Sequence, residues 1–581
     1  MGHKALTVHR TLPELARFFV SILGPERDYY LLAIVYGIGI SLLSLATPIS
    51  VQMLINTVAY TGMTTPLVML SLSLFVLLLI ASLLNALRIH LMDLFSRRFY
   101  ARMMSEMSLR TLFAVNPFFD DIGKGALFNR YFDIVVVLKT LPNLVVGGFT
   151  IILQMIVGMV LVSLYHPLFM AFNLVVIGLV WLVWLVWGKR AIGSALELSH
   201  RKHSAAAWLE ELGGSNGFFK SERHIDDALE RTEAVTAAYM SQHERHFRHH
   251  FAQTLSLLLL FAAASALLLG LGGWLVIQGE LTLGQLVAAE LVLSVVFVGI
   301  SQLGLYLTYF YDLCGAIEEL SLFWDVEQEE PPTVAREPGA DGRLEFVGAR
   351  AGVRGVDTVF DLTIASGARV LARAEHHEVQ RMFCELLKGH EKPEAGIITI
   401  GGADLRGLGV RALRQDVIVL DRPNVVEMTL REYLSLSDAE GGPSILATLR
   451  AVGLETAIGQ LEHGLDTMVT ATGWPLSITE VMQLKLAAAI IGEPRVLVLG
   501  RIFDIMPDAQ LREALDLVQD ESGTTVILFS NRDRDLACGL YAWFGVEGQA
   551  LYSSPEALVE RTAAARAALA GRGAAAAPAE G

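Results

Sequence analysis

Apolar residues are distributed unevenly along this chain, and two long stretches contain no charged side chain. Residues 31–87 lack Asp, Glu, Lys and Arg, and so do residues 140–188. A helix that crosses a membrane needs about 20 apolar residues, so each stretch is long enough for two spans. Polar turns at 61–66 and 165–167 divide them into four predicted spans.

Two further apolar stretches follow in the second quarter of the chain. Residues 251–279 predict a fifth span, and residues 281–311 predict a sixth after the turn Gln278-Gly279-Glu280. The hydropathy pattern therefore indicates an all-α membrane domain of six helices over residues 31–325.

The positions of the basic residues predict how these spans are oriented. The loops at 88–139 and 189–250 are long and contain many Lys and Arg, whereas the three short turns contain none. By the positive-inside rule, both termini and both long loops lie in the cytoplasm, and the domain spans the cytoplasmic (inner) membrane. Apolar positions at helical spacing between Thr11 and Leu23 predict an interfacial elbow helix within the N-terminal cytoplasmic segment 1–30.

The two long loops are themselves predicted to be helical, with an aromatic pair near each tip. Residues 95–112 continue the second span, and residues 228–250 lead into the fifth. The pairs are candidate coupling contacts that dock into a groove on a soluble domain, or they pack within their own loops. They are Phe118, Phe119, Phe218 and Phe219.

Polar residues within the spans recur at helical spacing and predict a translocation path. An intramembrane carboxylate costs about 2.5 kcal/mol or more when it faces lipid, so Glu290 faces a cavity or a partner, or lies at the interface. The candidate path residues are Gln52 and Asn56 in the first span and Glu290, Ser294 and Ser301 in the sixth.

The second half of the chain has a different pattern, of short apolar runs alternating with helical segments. A polar, proline-containing linker at 326–342 precedes it, and an Ala-rich tail at 556–581 that we expect to be disordered follows it. Strand candidates are 344–347, 369–373, 397–400, 417–420, 496–499 and 526–529, and helix candidates are 379–388, 444–452, 479–491 and 508–519. This alternation predicts an α/β domain over residues 343–555 with a largely parallel core sheet.

Composition agrees with a membrane protein that also has a soluble part, since 53% of the 581 residues are hydrophobic and 18% are charged. A net charge of −15 provides no basic surface for nucleic acid. The three cysteines lack metal-site spacing. His243, His246 and His250 share a helical face, but no Cys or carboxylate completes a ligand set, so we expect no metal.

The stretch Gly367–Gly389 has the outline of a phosphate-binding loop without its chemistry. A strand, a turn and a helix are predicted in that order, which is the geometry that directs backbone N–H groups at a phosphate. A working loop has glycines, a Lys for the phosphates and a Ser or Thr for Mg²⁺. The predicted turn from Ala374 to Arg381 has no glycine, and Gln380 stands where the Lys belongs.

Six spans with long helical loops followed by an α/β domain resemble an ABC exporter half-transporter, over roughly residues 12–551. The segment GGWLVIQGELTLGQLVA ending at Ala288 resembles the family's turn between spans five and six. Pro393–Leu405 and Gly464–Thr467 follow family patterns in the soluble domain. The membrane half looks most like the type I exporters of peptides and proteins.

The resemblance implies positions for each nucleotide motif, and this chain departs from the family at nearly all of them. The Walker A glycine, Lys and Ser/Thr fall on Ala374, Gln380 and Arg381, and the Q-loop residue on Asp421. The signature glycines fall on Ile478 and Thr479, the Walker B Asp on Gly500 and the catalytic Glu on Arg501. The D-loop Asp falls on Pro507 and the switch His on Asn531.

The family binds ATP and Mg²⁺, but from these residues we expect no catalytic residue and no cofactor in this chain. The resemblance implies a subunit for export of a peptide, protein or other substrate, with a degenerate nucleotide-binding domain. Its implied partners are the lipid bilayer and a second half-transporter chain, the same or different, with an active ATPase or secretion component to supply energy. The alternative is a membrane scaffold or regulatory subunit that moves no substrate.

Overall fold

The computed structural model describes residues 12–55, 64–115, 127–329, 341–353, 355–437 and 443–575. The chain divides into two units, Met1–Glu329 and Glu330–Gly581, which we call the membrane unit and the soluble unit. Candidate path residue Asn56 and the aromatic pair Phe118 and Phe119 lie outside the described residues.

The described residues of the membrane unit are almost entirely helical. Within its described residues, six helices or helical runs are long and apolar enough to cross a membrane, which confirms the six predicted spans. The helices are α1 (Leu12–Leu23), α2 (Arg27–Leu43), α3 (Ala46–Met53), α4 (Thr64–Leu112), α5 (Tyr131–Asn143), α6 (Phe149–Ser163), α7 (Pro167–Gly214), α8 (Glu222–Ile277) and α9 (Leu283–Ser321).

Three of these helices are far longer than a bilayer is thick. α4, α7 and α8 contain 49, 48 and 56 residues. At a rise of 1.5 Å per residue each is roughly 70–85 Å long, against about 30 Å of hydrocarbon. The prediction that the long loops continue the spans as helices is therefore confirmed.

Helix α1 was predicted to lie along the membrane interface, yet part of its apolar face packs against protein. Leu15, Ile22 and Leu23 are buried in a cluster that also contains Phe95 and Phe99 of α4. The buried carboxylate of Glu26, just after α1, lies 2.7 Å from the Arg102 guanidinium. The amphipathic pattern correctly predicted the helix but did not reveal that other helices cover it.

Helix α9 packs against most of the other helices of the membrane unit, and small residues on its neighbours let it approach them closely. A Cβ built on Gly158 of α6 would lie 2.9 Å from side-chain atoms of both Val292 and Val296 of α9. A Cβ at Gly147 would overlap the ring of Tyr306. Such contacts fix the rotation of α9 about its own axis, because only one face of the helix can pack against these glycines.

The soluble unit contains two main sheets, and the predicted α/β fold is confirmed. The larger sheet has the order β12-β11-β3-β10-β9-β6, in which every adjacent pair is parallel except β11 with β12. The smaller sheet, β2-β1-β4-β5, is antiparallel. The strands are β1 (Leu344–Val353), β2 (Val356–Ile364), β3 (Arg369–Ala374), β4 (Ala395–Ile400), β5 (Ala403–Asp404), β6 (Val417–Leu420), β7 (Met428–Thr429), β8 (Met468–Val469), β9 (Val496–Leu499), β10 (Thr525–Phe529), β11 (Leu540–Phe544) and β12 (Gln549–Tyr552).

Helices cover the larger sheet, whose central strands β9 and β10 are buried at every position. Continuous apolar sequence is expected of parallel strands that are covered on both faces. The helices are α10 (His377–Leu387), α11 (Val410–Asp416), α12 (Leu430–Ser435), α13 (Ile445–Ala451), α14 (Glu455–Gln460), α15 (Ile478–Ile491), α16 (Asp508–Ser522) and α17 (Pro555–Ala575).

Two predicted boundaries differ from the structure. The first residues of the predicted linker 326–342 pair with the end of the α4 region, since Val115 N donates to Glu327 O (2.9 Å) and Glu329 N donates to Phe113 O (2.7 Å). Much of the tail expected to be disordered, 556–581, lies in helix α17. Alanine has the highest helix propensity, so an Ala-rich segment beside a packing surface forms a helix readily.

Candidate functional site

The strand-end region, which we define as Ala374–Arg381, Asp421 and Gly500–Pro507, holds most of the predicted nucleotide positions. The turn predicted over Ala374–Arg381 is shorter in the structure. β3 ends at Ala374, only Glu375 and His376 follow, and α10 begins at His377, two residues before the predicted start at Val379. Gln380 and Arg381 are thus helical residues, as the predicted helix 379–388 implies, and not part of a loop.

Glu375 is bonded to the end of the adjacent strand β11 and to the connection that follows it. Its backbone N–H donates to Phe544 O (2.8 Å), and its carboxylate accepts from the backbone N–H of Val546 (3.0 Å). A Cβ at Gly545 would lie 3.1 Å from the same carboxylate oxygen. The carboxylate therefore binds the connection after β11 and fits tightly against it.

Arg501 extends from the end of β9 to the end of β3. Its guanidinium donates a hydrogen bond to the carbonyl of Ala374 (3.0 Å). Burial lowers the pKa of the Arg501 guanidinium, and the nearby Asp504 carboxylate opposes that shift. Arg501 thus joins two strand ends that belong to the Walker A and Walker B positions of the resemblance.

Gly500 permits a close approach between neighbouring strand ends. Its N–H donates to Leu420 O (2.8 Å), and an added Cβ would lie 3.1 Å from Asp421 Cα. A larger residue at position 500 would require the chain at Asp421 to move. The Asp421 carboxylate lies 3.5 Å from the ammonium of Lys388, at the end of α10.

Gln380 is buried on α10, with 4% of its surface exposed. Its side-chain oxygen has no hydrogen-bond partner among the residues that the structure describes. A buried amide oxygen without a partner costs about 1–3 kcal/mol, so this position is not optimised for stability alone.

The signature-like segment forms the capped start of helix α15. Ser477 caps the helix, with its hydroxyl accepting from Glu480 N (3.3 Å) and its own N–H donating to the Glu480 carboxylate (2.7 Å). Ile478 is the first helical residue and is 63% exposed, and Thr479 follows it. The helix start therefore presents a branched apolar side chain where the resemblance places a glycine.

Two side chains that sequence patterns missed organise the segment after β9. Asp504 accepts hydrogen bonds from the hydroxyl of Ser530 (2.6 Å) and the N–H of Asn531 (3.0 Å). The Arg534 side chain is 1% exposed and lies 2.7 Å from Asp508, the residue after Pro507. The sequence of residues 501–535 contains several acidic and basic side chains but does not indicate which of them form pairs. The pairing depends on how β9 and β10 lie side by side.

In the membrane unit, the candidate path residues have different surroundings. Gln52 accepts a hydrogen bond from the hydroxyl of Tyr165 (2.7 Å). Ser294 and Ser301 donate to carbonyls of their own helix, at Glu290 and Val298, both at 2.7 Å. One carboxylate oxygen of Glu290 is buried without a hydrogen-bond partner among the described residues.

A group of buried charges that the sequence did not reveal joins three helices of the membrane unit. The Glu319 carboxylate lies 2.8 Å from Arg130 and 2.7 Å from His200. The Asp133 carboxylate lies 2.6 Å from His203. We call this group the three-helix charge cluster; it consists of Arg130 and Asp133 at the start of α5, His200, Lys202 and His203 on α7, and Glu318 and Glu319 on α9.

The described aromatic pair is partly packed and partly exposed. Phe219 contacts Trp208 with ring centroids 5.9 Å apart, and Phe218 stacks on His224 at 4.3 Å. Phe218 is nevertheless 63% exposed. Local packing thus accounts for Phe219 and holds Phe218 in place at the surface, and docking to a soluble domain stays a prediction.

Comparisons with known proteins agree with this architecture. Residues 30–212 match the family described as the ABC transporter transmembrane region. A Bacillus subtilis (strain 168) protein, the uncharacterized ABC transporter ATP-binding protein YwjA, is 23% identical over 266 residues, which cover 44% of this chain and 46% of that protein. The leukotoxin translocation ATP-binding protein LktB of Mannheimia haemolytica is 25% identical over 276 residues, which cover 45% of this chain and 38% of that protein.

The matched regions thus span less than half the length of these curated relatives. A solved structure of a bacterial Atm1-family ABC exporter with ATP bound covers 97% of this chain and is itself covered completely, with a TM-score of 0.77 and 17% sequence identity. Together with the six apolar helices and the α/β unit that follows them, these likenesses show that the chain has the fold of a type I ABC exporter.

Proposed function

We propose that this chain is a membrane subunit of an ABC-type export system whose soluble unit neither binds Mg·ATP tightly nor hydrolyses it. The observation that carries the proposal is the hydrogen bond from Arg501 to the carbonyl of Ala374. It places a fixed guanidinium of the chain itself between the two strand ends that would hold the phosphates and the metal.

The residues of the strand-end region do not fit a magnesium triphosphate. Clamping the β- and γ-phosphates uses a Lys, and holding Mg²⁺ uses a Ser or Thr and an Asp. Gln380, Arg381 and Gly500 offer none of these groups. Without a carboxylate at position 501, no base is present there to polarise an attacking water.

The chain would therefore export its substrate together with a second half-transporter chain, which supplies an intact ATPase, or with another source of energy. The similarity to a leukotoxin translocation protein supports a peptide or protein as the exported substrate. Two identical copies of this chain would contain no complete nucleotide site, so the proposal favours a different partner.

Nucleotide binding to the purified full-length chain tests the proposal directly. We expect no saturable binding of Mg·ATP by calorimetry at concentrations up to about 1 mM, which corresponds to a binding free energy weaker than about −4 kcal/mol. We also expect no ATP turnover above that of empty nanodiscs. A dissociation constant in the micromolar range would contradict the proposal.

Gentle purification from native membranes tests the transport role. We expect a copurifying chain with intact Walker motifs, and vesicles that contain both chains should move substrate only with ATP. Vesicles in which the partner transports equally well without this chain would instead favour the scaffold or regulatory alternative.

A further inference from the structure

The predicted membrane spans contain very few ionisable side chains. Residues 31–87, 140–188 and 251–311 contain no Lys or Arg, and Glu280 and Glu290 are their only carboxylates. Glu280, in the turn before α9, lies 2.9 Å from His166. Glu290 is thus the one carboxylate within a predicted apolar span. Arg88, the residue after 31–87, is also buried, and its guanidinium donates to the side chains of Thr150 and Asn85.

Glu290 lies on α9, seven residues after the helix begins at Leu283. At 1.5 Å per residue, it is roughly 10 Å along the helix, inside the apolar segment and beyond the turn at 278–280. One of its oxygens is buried and has no hydrogen-bond partner among the described residues. Such a group is costly to keep in an apolar environment unless a ligand or partner compensates it.

The neighbouring polar groups on the same side of α9 are also acceptors. The hydroxyl of Ser294 donates its single proton to the carbonyl of Glu290, and that of Ser301 donates to Val298. Each hydroxyl oxygen then retains only acceptor capacity toward other molecules. We name Glu290, Ser294 and Ser301 the acceptor strip; it extends over about 17 Å of the helix.

The surroundings of the acceptor strip are apolar. A Cβ built on Gly272 of α8 would lie 2.6 Å from the side chain of Leu286, one turn before Glu290. Exposed Leu291, Val295 and Val298 lie on the adjoining face of α9. A ligand that fits this strip therefore combines a donor or cationic group with an apolar body.

We propose that the acceptor strip binds a cationic, partly apolar solute through Glu290. The part of the exported substrate that contacts this span is then positively charged. This inference rests on the proposed export function. A carboxylate whose oxygen has no partner among the described residues attracts a cation and repels an anion, and the effect is strong where water is excluded.

The test uses the full-length protein in nanodiscs and a pair of probes of matched shape and opposite charge. Tetraphenylphosphonium is the cation and tetraphenylborate is the anion, and empty nanodiscs correct for partition into lipid. We expect saturable binding of tetraphenylphosphonium to the wild-type protein, a loss of at least tenfold in affinity for Glu290→Gln, and near-wild-type affinity for Glu290→Asp. Tetraphenylborate binding should not respond to either change.

Glu280→Gln is the matched control, since it removes a carboxylate in the turn and leaves the acceptor strip intact. Its affinity for the cation should stay within twofold of wild type, and Ser294→Ala should lower affinity about threefold. No saturable binding to the wild type, equal binding to Glu290→Gln, or an equal loss in Glu280→Gln would each overturn the inference. Because no nucleotide or partner enters this assay, its failure is separate from a failure of the proposed export function.

Discussion

The three-helix charge cluster of the membrane unit and the strand-end region of the soluble unit hold their charged side chains through different partners. In the three-helix charge cluster, each carboxylate lies near at least one cation on another helix, as Glu319 does with Arg130 and His200. In the soluble unit, Arg501 and Glu375 bond to main-chain groups of neighbouring strand ends. The first arrangement joins helices, and the second fills the space between strands.

This difference predicts how much each set of charged side chains contributes to stability. Removing one member of a buried ion pair leaves its partner charged and unsolvated, which is strongly destabilising. Removing a guanidinium from a backbone carbonyl at a partly exposed strand end leaves a neutral group that water can reach. We therefore expect charge substitutions to reduce stability more at the three-helix charge cluster than at Arg501 and Glu375.

The largest expected effect is at Glu319. Glu319→Gln leaves Arg130 and His200 buried without their carboxylate and should destabilise the membrane unit by about 3–5 kcal/mol. The measurement is the thermal unfolding midpoint of the full-length chain in detergent. Glu244→Gln, which removes an exposed carboxylate paired with Arg248, is the control and should leave the midpoint unchanged. Equal unfolding midpoints for Glu319→Gln and Glu244→Gln would contradict the expectation that the buried charge cluster stabilises the membrane unit.

The next effect is at Arg501. Arg501→Met keeps the apolar length of the side chain and removes the hydrogen bond to Ala374, which should cost about 1.5–3 kcal/mol. It should not produce Mg·ATP binding, because the other clamp residues are still missing. Unfolding of the soluble unit in urea and calorimetry with Mg·ATP measure the two outcomes. A gain of micromolar ATP affinity would show that Arg501 alone blocks a working site.

A smaller effect is expected at the start of α15. Ser477→Ala removes the helix cap while Glu480 remains, and the loss should be about 1 kcal/mol. Ser477→Asn should restore most of it, because asparagine also caps well. Urea unfolding curves of the two variants measure this effect. If Ser477→Ala loses as much free energy of unfolding as Arg501→Met, then the Arg501 hydrogen bond stabilises the soluble unit no more than a helix cap does.

The smallest effect depends on pH. Burial raises the pKa of the Cys538 thiol to about 11 from its usual value of 9.0. Between about pH 9 and 11 the folded thiol stays protonated, whereas the unfolded thiol loses its proton. The stability of the folded state is therefore unchanged below about pH 9 and falls as the pH rises toward 11. Between pH 8 and 9.5 the loss is at most about 0.8 kcal/mol.

Cys538→Ala should remove that part of the alkaline loss, as measured by unfolding midpoints of wild type and variant at the two pH values. An identical alkaline loss in both proteins would mean that this thiol does not titrate differently on folding.

The element pattern was accessible from sequence because it depends on local properties. Strands β6 and β9 were predicted with the bounds that the structure has, since continuous apolar runs mark strands covered on both faces. Strands β11 and β12 were missed, because β12 is only partly buried and its alternation is weak. The sequence placed Glu290, Ser294 and Ser301 on one face of the sixth span, because residues four and seven apart lie on the same side of a helix; their role in a translocation path stays a prediction.

What the sequence determined by itself is the six spans, their long helical extensions and the α/β unit after them, all of which follow from residue types at fixed local spacings. Only the tertiary structure decided that α10 begins at His377, that Arg501 reaches the end of β3, and that Arg130, His200 and Glu319 meet. Those contacts join residues up to 189 positions apart, and their energies depend on distance and burial in space, which no local pattern records.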